Sequence, residues 1–202
     1  MSLPTLSLSV RIRHVALLLA LTLPMTAASC SPSSAELAKE QIADTVVAKR
    51  LPVQISTPKT WRVISADELA KVGPNVIMAF SDDSVDGRGV RNMSVVEERM
   101  DNPLSSIQYA YANASLAANN LDDYTKISEK DVTVLDAEGK QVTTRLHWFE
   151  ARFDRKNPKR KYAQLYATQG YYGYTATIQT VIDDPNTAEL EKLLLSFRFV
   201  KE

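Results

Sequence analysis

Residues 124–135 and 141–154 are two long alternating runs on either side of Asp136-Ala137-Glu138-Gly139-Lys140, and no other feature constrains the fold as tightly. A short polar link with a glycine available for positive φ predicts a hairpin of two long antiparallel strands. A second pair, 161–168 and 171–181, flanks Gln169-Gly170 in the same manner. One alternating set of 141–154 holds Val142, Leu146 and Trp148, and the other holds Phe149, Ala151 and Phe153. Both faces of that strand are mixed, so each is expected to be partly covered.

Shorter runs at 53–56, 76–80, 92–99 and 197–200 supply further strand candidates. Two segments have helical spacing. Residues 103–118 carry Leu104, Ile107, Tyr111, Ala114 and Ala118, with Asn102 as N-cap and Pro103 in the first turn. Residues 187–195 carry Leu190, Leu193 and Leu194, followed by Phe197. Antiparallel hairpins with interspersed helices predict an α+β fold, an antiparallel β-sheet flanked by helices as an α/β/α sandwich.

The N-terminal part has a different character. Arg11-Ile12-Arg13-His14 precedes the apolar run 15–23, which is too short to cross a bilayer core. Pro24 ends the run, and small residues lead to Ala27-Ala28-Ser29-Cys30. This segment resembles the lipobox of bacterial lipoproteins, departing from it at Ala27, where leucine is commonest. The resemblance implies a signal peptide over 1–29, diacylglycerol on the Cys30 sulfur and an acyl group on its new amino terminus. Two or more chains anchor a protein stably. The alternative is an ordinary secretory signal cut near Ala28. Ser31 resembles an outer-membrane address in a Gram-negative cell. Residues 30–50 then read as a tether or loosely docked helix, and 51–202 as the domain.

Charge and composition exclude several classes. Lys plus Arg and Asp plus Glu are 24 each, and removing Arg11 and Arg13 leaves a slightly acidic chain. That balance gives no footprint for nucleic acid. The single cysteine allows no intramolecular disulfide. His147 is the only histidine outside the leader, too few ligands for a typical zinc site, and no Gly-x-Ser-x-Gly elbow accompanies it. Asp82, Ser84, Asp86 and Gly87 match the start of a calcium-binding loop, but its twelfth position is Met93 rather than glutamate, so the segment reads as an acidic turn. Glu97 and Glu98 are neighbours in a strand and face opposite sides. The basic stretch 154–161 reads as a solvated turn, with lipid headgroups or an acidic partner as the alternative. No cofactor or metal is expected.

The tyrosines carry the functional interest. Tyr162 and Tyr166 share a face of one strand, Tyr172 and Tyr174 share a face of the next, and Trp148 is a neighbour. These five residues either pack a core or form an exposed aromatic platform for a partner.

The order of elements resembles the PsbP-like fold, also seen in Mog-type Ran-binding proteins and DcrB-like lipoproteins. The carrying features are the early strand into Pro58-Lys59-Thr60-Trp61, the strand at 92–98, the helix near Pro103, the long hairpins, and a final helix running into Ser196-Phe197. Such domains look mainly like binding or assembly modules, and the resemblance implies no catalytic residues. The expected function is a non-enzymatic envelope lipoprotein, held on the membrane through Cys30 and binding an envelope protein. The alternative is an envelope hydrolase or metal-dependent enzyme whose site assembles only in the fold.

Overall fold

A computed structural model describes residues 45–50, 52–82 and 91–201. The segment expected to be a signal peptide, Cys30 and most of the acidic segment 82–87 expected to be a turn lie outside the described residues. The strands are β1 (Thr45–Arg50), β2 (Val53–Pro58), β3 (Arg62–Val63), β4 (Val76–Asp82) and β5 (Arg91–Arg99), then β6 (Asp122–Leu135), β7 (Gln141–Arg152), β8 (Arg160–Gln169), β9 (Tyr172–Thr180) and β10 (Arg198–Phe199). The helices are α1 (Ala66–Val72), α2 (Ser106–Asn120) and α3 (Thr187–Leu195). One sheet holds all the strands, in the order β1-β2-β10-β6-β7-β8-β9-β5-β4-β3.

The anticipated hairpin is β6–β7. Asp136 Oδ1 accepts from the amides of Glu138 and Lys140, and Gly139 takes φ 79°, which a side chain would resist. Pairing is antiparallel everywhere but at β10, which meets β6 in parallel at Arg198 opposite Leu135 and β2 in antiparallel. That parallel step requires a crossover rather than a hairpin, and α3 supplies it.

Alternation along the strands sorts the core into two layers. Leu146, Trp148, Leu165, Ile178, Met93 and Val95 face α3, whose Leu190, Leu193 and Leu194 join Phe197 and Phe199 there. Each fully buried leucine contributes roughly 1.5–3 kcal/mol. Phe149, Ala151 and Tyr166 face α2. Leu69 of α1 packs on Val76, Ala79 and Val96; Val96 adjoins Val95 and so points to the α2 side. The sheet is thus covered by helices on both faces. Trp61 and Phe197 are core residues, and Ser196 Oγ accepts from the Ser56 amide at 2.8 Å, tying the final helix to β2.

Four expectations need correction. Thr45–Arg50 belongs to a strand paired along its length with β2, not to a tether or helix. Helix α1 went unread, although Ser65 and Glu68 form a capping box at its start. Helix α2 begins at Ser106 rather than Pro103, because Ser105 and Gln108 make the capping box. Its buried positions are Ser106, Tyr109, Ala110 and Ala117, so the apolar stripe is rotated from the expected one and Tyr111 is exposed, with the Arg145 guanidinium 4.2 Å from its ring centre.

Candidate functional site

The five aromatic residues do not form a common platform. In the β8–β9 register Tyr166 lies opposite Thr175 and Ala167 opposite Tyr174, which sends Tyr166 and Tyr174 to opposite faces. Tyr166 is fully buried under α2, edge-on to Tyr109, and its hydroxyl donates to Gln164 Oε1 at 2.6 Å. Tyr162 is half-buried and stacks on Phe149 at 5.2 Å. Trp148 is buried on the α3 side, its indole N–H donating to Glu191, which also holds Lys130 at 2.6 Å. For Tyr162, Tyr166 and Trp148 packing is therefore the correct account of the aromatic pattern.

Tyr172 and Tyr174 stand apart. Both line a cleft of about 610 Å³ at one end of the sheet. The β6–β7 turn contributes Ala137 and Glu138, the end of β8 contributes Gln169, β5 contributes Glu97, and the segment after β10 contributes Val200 and Lys201. The Val200 amide donates to the Pro52 carbonyl at 2.8 Å and closes one wall. Tyr172 is 41% exposed, whereas the Tyr174 ring is buried edge-on to Phe199. The Tyr174 hydroxyl donates to Glu97 Oε2 at 2.9 Å, and both residues line the cleft. The two side chains are direct cross-strand partners in the β5–β9 register. Burial, then the Glu97 carboxylate, push the Tyr174 phenol well above its ordinary range, so it remains a neutral donor. Glu97, Glu138, Gln169 and Lys201 were not read as site residues. They come from separated segments, and only the register brings them together.

Glu98 faces the other layer, as its parity requires, and accepts from the Tyr109 hydroxyl at 3.2 Å. Burial pushes its carboxyl up. His147 is 1% exposed; its Nε2 lies 2.8 Å from the Tyr124 hydroxyl, Phe149 packs 5.0 Å from its ring, and its buried Nδ1 has no partner. Burial pushes this imidazole below its ordinary range, against the opposing pull of Glu129. Met93, at the twelfth position of the calcium-like pattern, is a fully buried core residue, and Asp82 is committed to an ion pair with Arg91 at 3.4 Å. Among the described residues, no three His, Cys, Asp or Glu side chains are grouped to hold a metal, and no helix is long and apolar enough to cross a membrane.

No family model and no curated protein matches the sequence. Solved structures do match the fold. Cyanobacterial PsbP (CyanoP) from Synechocystis sp. PCC 6803 superposes with a TM-score of 0.53 at 16% identity, over 85% of this chain and 98% of its own. The Ran-binding protein Mog1p of Saccharomyces cerevisiae superposes with a TM-score of 0.51 at 9% identity, over 78% of this chain and 96% of its own. The domain has the α+β fold of these proteins, as the order of its elements led one to expect.

Proposed function

We propose that this protein is a bacterial envelope lipoprotein, anchored through lipid on Cys30, whose domain is a non-enzymatic binding module working through the cleft at the Tyr172–Tyr174 end of the sheet. The observation that carries the reading is the composition of that cleft. It combines an exposed aromatic ring, a fixed phenol–carboxylate pair and residues from separate segments of the chain, with a few polar groups converging on one space. The enclosure of His147 supports it further, since an imidazole packed between Tyr124 and Phe149 presents no face to a substrate. The likeness of fold to the Ran-binding protein Mog1p supports recognition of a protein partner by analogy of architecture alone. The small residues before Cys30 support an envelope location, and Ser31 after it supports an outer-membrane address if the cell is Gram-negative.

The anchor and the module are tested separately. Mass spectrometry of the native amino terminus is expected to find acylated Cys30, and Cys30→Ala to release the domain from sedimenting membranes. A photo-crosslinker at position 172 is expected to capture an envelope protein in cells, while one at Lys156, in the exposed loop between β7 and β8, does not. Equal capture from both positions, or turnover of a small substrate that ends with His147→Ala, overturns the module.

A further inference from the structure

The cleft contains a carboxylate, that of Glu97, which forms no ion pair among the described residues. Glu97 is half-buried, and among the described residues its carboxylate accepts one hydrogen bond, from the Tyr174 hydroxyl. Four other half-buried glutamates meet a basic side chain: Glu68 meets Arg62, Glu129 meets Arg145, Glu150 meets Lys159 and Glu191 meets Lys130. Among the described residues Glu98 and Glu189 lack one too; burial pushes the Glu98 carboxyl up and reduces its charge, and Glu189 sits in the first turn of α3, where the helix N-terminus favours a negative group. Glu138 lines the same space and is exposed. Lys201 also lines it, yet it forms no ion pair with either glutamate among the described residues. A partly desolvated carboxylate retains its charge most readily when a cation is at hand.

We infer that the cleft takes a basic side chain, the ammonium of a lysine or the guanidinium of an arginine in a partner polypeptide, with Glu97 as its counter-ion and the exposed Tyr172 ring flanking its stem. The elements for this are present. Tyr174 fixes one oxygen of Glu97 and leaves the other for an incoming donor. The Tyr172 ring offers a π face to a cation and an apolar wall to methylenes. Glu138 adds a second negative charge at the rim and steers a basic ligand inward. The inference rests on the cleft being the binding site, as proposed above, and adds the chemistry that it selects.

The test titrates the isotope-labelled domain with the blocked tripeptides Gly-Lys-Gly, Gly-Arg-Gly and Gly-Glu-Gly at low salt, followed by NMR. The two basic peptides are expected to shift the resonances of Tyr172, Glu97 and Gln169 in a saturable manner, and the acidic peptide to leave them in place. Glu97→Gln retains an acceptor for Tyr174 but removes the charge, and is expected to weaken basic-peptide binding about fivefold. Glu189→Gln, on α3 and outside the cleft, is expected to leave binding unchanged. Thermal melts of both variants identify any loss of fold. Equal shifts from the acidic peptide, or unchanged binding by a folded Glu97→Gln variant, overturn the inference. If the peptides fail while the position-172 crosslink in cells persists, the cleft remains a binding site and only its preference for cations is wrong.

Discussion

Replacing Gly173 by alanine tests the packing of α2 on the sheet at one atom. Gly173 lies in β9 directly beneath Tyr109. An ideal Cβ there would stand 2.4 Å from Tyr109 Cε2 and Cζ and 2.9 Å from its hydroxyl oxygen. Carbon atoms in contact prefer about 3.5–4.0 Å, so the ring has to withdraw by more than 1 Å. The ring is 3% exposed and pinned at its far end, where its hydroxyl meets Glu98 at 3.2 Å and Thr175 at 3.3 Å. Overpacking of this kind costs about 1–3 kcal/mol, and losing the hydroxyl's bonds adds about 1 kcal/mol. Alanine restricts the unfolded chain and suits a strand better, which offsets about 0.5–1 kcal/mol. The net expectation is destabilisation by about 1–3 kcal/mol. Equilibrium urea unfolding followed by the fluorescence of Trp61 and Trp148 measures it, as a lower midpoint at unchanged slope. In the Tyr109→Leu background the same alanine is expected to be nearly neutral, giving a coupling of about 1–3 kcal/mol in the double-mutant cycle. A Gly173→Ala variant as stable as the parent, or more stable, refutes the steric argument, because that is the sign backbone entropy alone gives.

Two further predictions concern buried charge and titration. Arg91 donates to both oxygens of Asp184, at 2.6 and 2.8 Å, and approaches Asp82, with Thr180 as a further donor to Asp184. Burial pushes the Asp184 carboxyl up, but the hydrogen bonds from Arg91 and then Thr180 outweigh it and hold it below the ordinary range. Asp184→Asn is therefore expected to cost about 3–5 kcal/mol at neutral pH. Because the folded state holds this pKa down, the contribution is present above the unfolded value of about 4 and is lost as pH falls through the folded one, so the variant's acid limb flattens. His147 has the opposite sign of charge: its folded pKa is depressed, so protonation favours the unfolded chain. Stability is complete above the unfolded value of about 6.5 and falls as pH drops from there toward the folded pKa. The groups around the ring are Tyr124, Lys126 and Glu129 from β6, Arg145 and Phe149 from β7, and Gln164 across the register in β8. His147→Gln is expected to level the denaturation midpoint between pH 7 and 5, and a slope equal to that of the parent assigns the effect elsewhere.

The long hairpins were legible because alternation and turn chemistry are local. Gly139 sits in a turn that needs positive φ, and α3 occupies the residues that its leucine spacing marks. Helix α1 was legible in principle, since the Ser65–Glu68 capping box is a sequence signal, but seven residues give too little periodicity to draw the eye. The strand at 45–50 was not legible, because the Leu51-Pro52 sequence before its partner β2 carries no hairpin signature. Of the aromatic residues singled out, Tyr172 and Tyr174 line the cleft, whereas Tyr162, Tyr166 and Trp148 serve packing.

By itself the sequence determined the α+β composition, the strand faces and the scarcity of histidine and cysteine, since each is a property of a residue or its near neighbours. Tertiary structure alone decided the rest. Helix α2 is built of alanine, asparagine and tyrosine and has more than one plausible face. The missing side chain at Gly173, more than fifty residues away, makes room for Tyr109 and selects that face. Glu97 likewise became a site residue only when the β5–β9 register set it opposite Tyr174, because pairing between distant strands fixes which side chains meet, and a single residue of slip sends each one to the other face.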